Sequence, residues 1–140
     1  SVLSSSIDAL KSGDISAAER TAILVDLLPL AEGDTAQASV LKILGQERAK
    51  LKRADISNAQ LADLDAASLL QQSLVMDPYD GETYIGLAQI YAAGGQFEQA
   101  WDLYDALRTG ISDREDLLAG VTRAEDNTRD RARAYFMPKP

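Results

Sequence analysis

The stretch ETYIGLAQIYAAGGQFEQAWDLYDAL, residues 82–107, decides the fold. Tyr84, Leu87, Ala88 and Tyr91 recur at the spacing of a helix with one buried face. Gly94-Gly95 interrupts the pattern, and Phe97, Ala100, Tyr104 and Leu107 resume it. Two helices joined by a tight turn are expected, with Gly95 taking the left-handed conformation that ends the first. Alanine at positions 88 and 100 lets two backbones cross closely, and the rings at 84, 91, 97 and 104 fill the space around the crossing.

The same grammar recurs upstream. Ala66, Leu69 and Leu70 precede Ala100, Leu103 and Tyr104 by 34 residues, as Pro78 precedes Ser112. Helical patterning at this period marks stacked helix–turn–helix units that bury their apolar faces only on one another. Leu41, Leu44 and Gly45 fit the first helix of the earlier unit, with Ala66, Leu70 and Ser73 in its second. Gly45 lies 21 residues before Ala66, whereas Ala88 lies 12 before Ala100. The extra residues are assigned to a longer third helix and a loop at 55–58. A third, weaker unit has Gly13-Asp14-Ile15 as its turn and Ala18, Ala22 and Val25 on its second helix.

These residues resemble the tetratricopeptide repeat. The first helix has its aromatic, leucine, small and tyrosine places at Tyr84, Leu87, Ala88 and Tyr91. After the Gly-rich turn come Phe97, Ala100, Tyr104 and Leu107. The resemblance implies an all-α fold, an α-solenoid of about three antiparallel helix pairs with a C-terminal capping helix. It divides a single domain, 1–136, into a partial repeat at about 1–34, a divergent one at about 35–80, the best repeat at 81–114 and a capping helix at 112–135. Residues 137–140 form an irregular tail.

Start and stop signals predict seven helices, at about 2–11, 14–30, 36–54, 59–76, 81–93, 96–108 and 112–135. Asp14 is the expected cap of the second, and Pro29 and Gly33 mark its end. The fourth stops before Asp77-Pro78 because proline disfavours helix in the residue preceding it. Ser112-Asp113-Arg114-Glu115 fits a capping box for the seventh, whose Leu117, Leu118, Val121 and Ala124 are expected to cover the last repeat.

Composition narrows the chemistry. The chain has 140 residues, no cysteine and no histidine. Thiolate sites and histidine-based catalysis are therefore excluded, and no catalytic centre, metal or cofactor is expected. A net charge of −8 argues against nucleic acid and against an anionic membrane surface. No apolar stretch approaches the ~18 residues of a membrane span, so no membrane insertion is expected. The first residues lack a basic leader and an initiator Met, which fits an excised or processed piece of a longer protein. The compartment stays open between bacterial cytoplasm and periplasm.

The resemblance implies a protein partner, held as a peptide or helix in the concave groove lined by the first helices. The groove residues are Lys42, Gln46, Lys50 and Arg53 on the third helix and Glu82, Ile85 and Gln89 on the fifth. Five Lys/Arg fall between 42 and 53. One reading is a basic patch for an acidic partner segment. The other is a solvated face balanced by neighbours such as Glu47 and Asp63. Ile85 and Gln89 stand where some family members clamp a terminal carboxylate with Lys and Asn, so chaperone tails are not the expected ligand. Trp101 is expected to make a core or capping contact. The alternative function is a structural spacer or self-association module of a bacterial envelope or secretion assembly, and oligomeric state stays open.

Overall fold

The computed structural model describes residues 2–33, 36–111 and 114–137. Among them are eight α-helices and no strand. They are α1 (Val2–Ser12), α2 (Ala17–Leu27), α3 (Ala38–Ala49), α4 (Ala59–Ala62), α5 (Ala66–Met76), α6 (Gly81–Ala93), α7 (Phe97–Gly110) and α8 (Glu115–Phe136). Short 3-10 turns at Leu28–Ala31 and Arg53–Asp55 follow α2 and α3. The chain divides into two compact units, Ser1–Met76 and Asp77–Pro140.

In the first unit α3 packs on α5 through Gly45. A Cβ there would lie 2.8 Å from Leu70 Cδ2 and 3.1 Å from the Ala66 carbonyl oxygen. Glycine is thus what allows this crossing, and Leu41, Leu44, Leu69 and Leu70 bury around it. Ser73, itself buried, donates from its hydroxyl to the Ala38 carbonyl at 2.8 Å and ties α5 to the first turn of α3. These are the helix pair and crossing residues expected from the spacing.

Three boundaries in this unit differ from expectation. Helix α2 starts at Ala17 because Ser16, not Asp14, is its cap: the Ser16 hydroxyl accepts the Glu19 N–H at 3.1 Å. Ser16-Ala17-Ala18-Glu19 carries the capping-box pattern, a clearer signal than a lone aspartate. The buried residues of α2 are Leu24 and Leu27, while Ala18 and Ala22 are exposed and Val25 is half-buried. Leucine removes more apolar surface from water than alanine, and that difference sets the face of the helix.

Helix α3 ends at Ala49 rather than near Ala54, in a tightened turn where the Lys50 N–H reaches the Glu47 carbonyl. The expected helix at 59–76 is two helices broken at Asp63-Leu64-Asp65. Asp65 restarts the chain by accepting the N–H groups of Ala67 at 3.0 Å and Ser68 at 3.4 Å, while Asn58 caps α4 through the Leu61 N–H. The extra residues of the divergent unit therefore lie in the segment 50–58 and the short α4, and α3 is not lengthened.

In the second unit α6 and α7 form the expected hairpin, with Gly95 at φ +79° in the turn. Ala88 and Ala100 are wholly buried at the crossing. Tyr104 is also fully buried, and Tyr84, Tyr91 and Phe97 pack half-buried around it. Helix α8 runs antiparallel to α7. Arg108 pairs with Glu125, the Tyr104 hydroxyl meets Thr128 at 2.9 Å, Arg129 lies 5.1 Å over the Trp101 ring, and Phe97 meets Tyr135 at 5.7 Å. Trp101 thus makes the capping contact expected of it.

Val121 and Ala124 are buried against the hairpin and Leu117 and Leu118 half-buried, as the capping assignment anticipated. The 34-residue period reaches further than its polar sequence suggests. Leu118, Val121, Thr122 and Glu125 follow Tyr84, Leu87, Ala88 and Tyr91 by 34 residues. Helix α8 therefore sits in the register of another first helix, with a buried glutamate where the preceding repeat has tyrosine. Asp34-Thr35, the Ser112-Asp113 start of the expected capping box, and Pro138 to Pro140 of the expected tail lie outside the described residues.

Two substitutions test this packing. Gly45→Val forces a branched side chain against Leu70 and the α5 backbone and is expected to lower stability by about 1–3 kcal/mol in urea unfolding. Burial raises the Tyr104 pKa above its ordinary 10.0, opposed by the Thr128 hydrogen bond and reinforced by Glu125. The folded state therefore favours the neutral phenol. Its stabilisation is complete below the unfolded pKa of about 10 and is lost as pH climbs through the raised folded value. Tyr104→Phe should cost about 1 kcal/mol near neutrality. Its deficit against the wild type should narrow above about pH 10 in pH-stepped denaturation.

Candidate partner-binding surfaces

Helix α3 turns Val40, Leu41, Leu44, Gly45 and Glu47 inward. Lys42 and Gln46 stand half-exposed and Lys50 exposed on its outward side. Arg53 is not on this helix. It lies in the 3-10 turn that follows, where it donates to the Ala62 carbonyl at 2.7 Å and pairs with Asp63.

Arg48 is also engaged internally. Its guanidinium donates to the carbonyls of Leu61, Leu51 and Ala62, each at 3.0 Å, and so satisfies the chain ends left open where α3 and α4 stop. Lys50 meets Glu47 at 3.1 Å, and the nearly buried Glu47 also takes Arg20 of α2 at 2.5 Å. The basic run at 42–53 is thus largely built into the fold. Sequence anticipated Glu47 and Asp63 as balancing acids, but not the carbonyl contacts of Arg48, which depend on the helix break at Asp63-Leu64-Asp65.

Helix α6 presents Glu82, Gln89 and Ala93 outward. Ile85 is half-buried and belongs to the core around α8: a Cβ placed on Gly120 would meet its Cδ1 at 3.5 Å. Ala92, on the same helix, is buried at 3 % exposure. The structure thus brings Lys42, Gln46 and Lys50 together on α3, and Glu82 and Gln89 on α6, while Arg53 and Ile85 serve internal packing.

The remaining features offer little for catalysis. A shallow cavity of about 310 Å³ in the first unit is lined by Ala31, Gly33, Ala36, Leu41, Gln72, Val75 and Met76, with no ionisable side chain among them. Among the described residues no group of three His, Cys, Asp or Glu side chains could hold a metal ion, and no helix is long and apolar enough to cross a membrane. The two buried glutamates are each held by an arginine from the preceding second helix, Glu47 by Arg20 and Glu125 by Arg108. The hydrogen bonds that Arg108 donates to Glu125 hold its guanidinium above its ordinary pKa. Both pairs lock helices together.

Helix pairs that cross at small residues and stack in register define a class of protein-interaction repeat. Residues 64–119 match the tetratricopeptide repeat family model, which supports the assignment of that segment to this repeat. The match runs from α5 through α7 into the first turn of α8. It begins after the residues that stretch the divergent unit beyond its period. Neither a comparison with curated proteins nor one with solved structures gives a match.

The geometry separates cations by role. Arg48→Ala strips hydrogen bonds from three carbonyls and is expected to cost about 1–3 kcal/mol. Lys52→Ala, at an exposed position in the same basic run, should change stability by less than about 0.5 kcal/mol. Chemical denaturation of the two variants side by side checks the contrast.

Proposed function

We propose that this chain is an adaptor module, each repeat of which offers a partner protein the outward face of its own first helix. Lys42, Gln46 and Lys50 form the recognition surface on α3, and Glu82 and Gln89 that on α6. The observation that carries the reading is the repeat itself: small residues at both crossings fix each first helix rigidly against its second. A surface fixed in advance loses little conformational freedom on binding, which is the advantage of such a scaffold. Taken each by itself, the cationic and amide face of α3 suits an acidic partner segment, and the acidic and amide face of α6 suits a basic one. Arg53 and Ile85 act through the fold and not by touching the partner.

A photo-reactive amino acid placed separately at Gln46, Gln89 and the exposed Gln99 of α7 tests this assignment in cells of the source organism. Adducts of defined mass from positions 46 and 89, and none from 99, are the expected result. Adducts from 99 alone would move the contact to the second helices and overturn it. A crosslinked homodimer from every position would instead favour the spacer role.

A further inference from the structure

The last two turns of α8 carry a feature that the repeat does not need. The buried stripe of this helix, Val121, Ala124, Glu125 and Thr128, continues through the half-buried Ala132 to Tyr135 and Phe136. Helix α8 has 22 residues against 14 in α7, so it reaches the α6–α7 turn as its partner helix runs out. There Tyr135 rests against Gly95, where an added Cβ would meet its ring at 3.3 Å, and both Tyr135 and Phe136 touch Phe97 with ring centres 5.7 Å apart. One side of the cluster is seated and the other is open. Tyr135 is 65 % exposed, Phe136 69 % and Met137 74 %.

Arginines flank this apolar end on both sides. Arg131 lies one turn before Tyr135, and Arg133 one turn before Phe136 and Met137. Both are exposed, and among the described residues neither has an acidic partner. Arg129, by contrast, is held by Asp126 at 2.9 Å and by the Trp101 ring. Asp130 is exposed three residues before Arg133, and Glu98 is exposed next to Phe97 at the start of α7. A cation in the last turn of a helix stabilises its dipole, which accounts for part of the role of Arg133. It accounts for neither Arg131 nor the exposed rings.

We propose that this end of α8 is a docking surface for an acidic peptide segment of a partner protein, which seats one apolar side chain on Tyr135, Phe136 and Met137 and sets its carboxylates against Arg131 and Arg133. Charge complementarity selects this occupant. A chain of net charge −8 is repelled by an anionic lipid surface. A second copy joined by a two-fold axis would set the same arginines against each other. A short acidic segment touches only this end of the helix, so within the ~8 Å Debye length at physiological salt it meets Arg131 and Arg133 more than the net charge of the whole chain. The surface is separate from the outward faces of α3 and α6.

Selection of a random twelve-residue display library on the immobilised full chain tests the proposal. The expected winners carry Asp or Glu beside an aromatic or aliphatic residue. By fluorescence anisotropy, a winning peptide should bind Arg131→Gln/Arg133→Gln and Phe136→Ala at least about tenfold more weakly, while Lys52→Gln, which removes a cation elsewhere, should bind it unchanged. Circular dichroism of each variant separates loss of binding from loss of fold, and the glutamine pair keeps both side chains long and polar. Winners without acids, or affinities indifferent to the Arg131 and Arg133 changes, overturn the proposal. So do co-sedimentation with vesicles rich in phosphatidylserine and a concentration-dependent mass abolished by Phe136→Ala, which would assign the patch to lipid or to a second copy.

Discussion

Two helix backbones can approach only as closely as the side chains between them allow, and here that limit is set at single positions. Gly45 faces Ala66 in one unit, and Ala88 and Ala100 meet in the other. The close approach creates a groove on each side of the crossing too narrow for water and wide enough for leucine or tyrosine, and the core residues are those that fill it. The hydroxyls of Ser73 and Tyr104 find partners across neighbouring helices because those helices are held near enough. Polar satisfaction in this fold is thus a consequence of the small residues, and none of the described buried side-chain polar atoms lacks a hydrogen bond.

The legible part of the fold follows from this constraint. The pattern at 84–107 names the hairpin, its turn and its crossing, because each place in a tightly crossed pair tolerates few residue types. The divergent unit was readable at Gly45, Ala66, Leu70 and Ser73 for the same reason. What lay beyond the sequence was how the chain spends its extra length. A cap such as Ser16 or Asp65 competes with other polar residues nearby, and hydrogen bonds spanning several elements choose among them. Arg48 illustrates the point: as a letter it is one more charge in a basic run, yet in the fold it bonds three carbonyls from two helix ends.

The surface was less legible than the core. Spacing placed Ile85 on the open face of α6, which would hold if nothing packed on that side. Helix α8 does pack there, because its Val121 and Gly120 continue the register of a first helix under a largely polar exterior. Hydrophobic pattern alone made α8 a simple cover. The 34-residue offset from Leu87 to Val121 was the available signal, and the glutamate in place of Tyr91 obscured it. Similarly, Arg48 and Arg53 show their structural roles only through the carbonyls they bond.

That glutamate has a consequence for how the chain finds its structure. A periodic sequence sets its own helices an addressing problem, since a helix displaced by one period meets nearly the same apolar contours. Tyr91 and Glu125 occupy matching places in the period, but only the second demands a guanidinium beside it. If α8 docked in the place of α6, a carboxylate would enter an apolar site without Arg108, and dehydrating that charge is far more costly than a lost methyl contact. The Arg108–Glu125 pair therefore acts as an address label. It lets a chain written in repeats be assembled in one order.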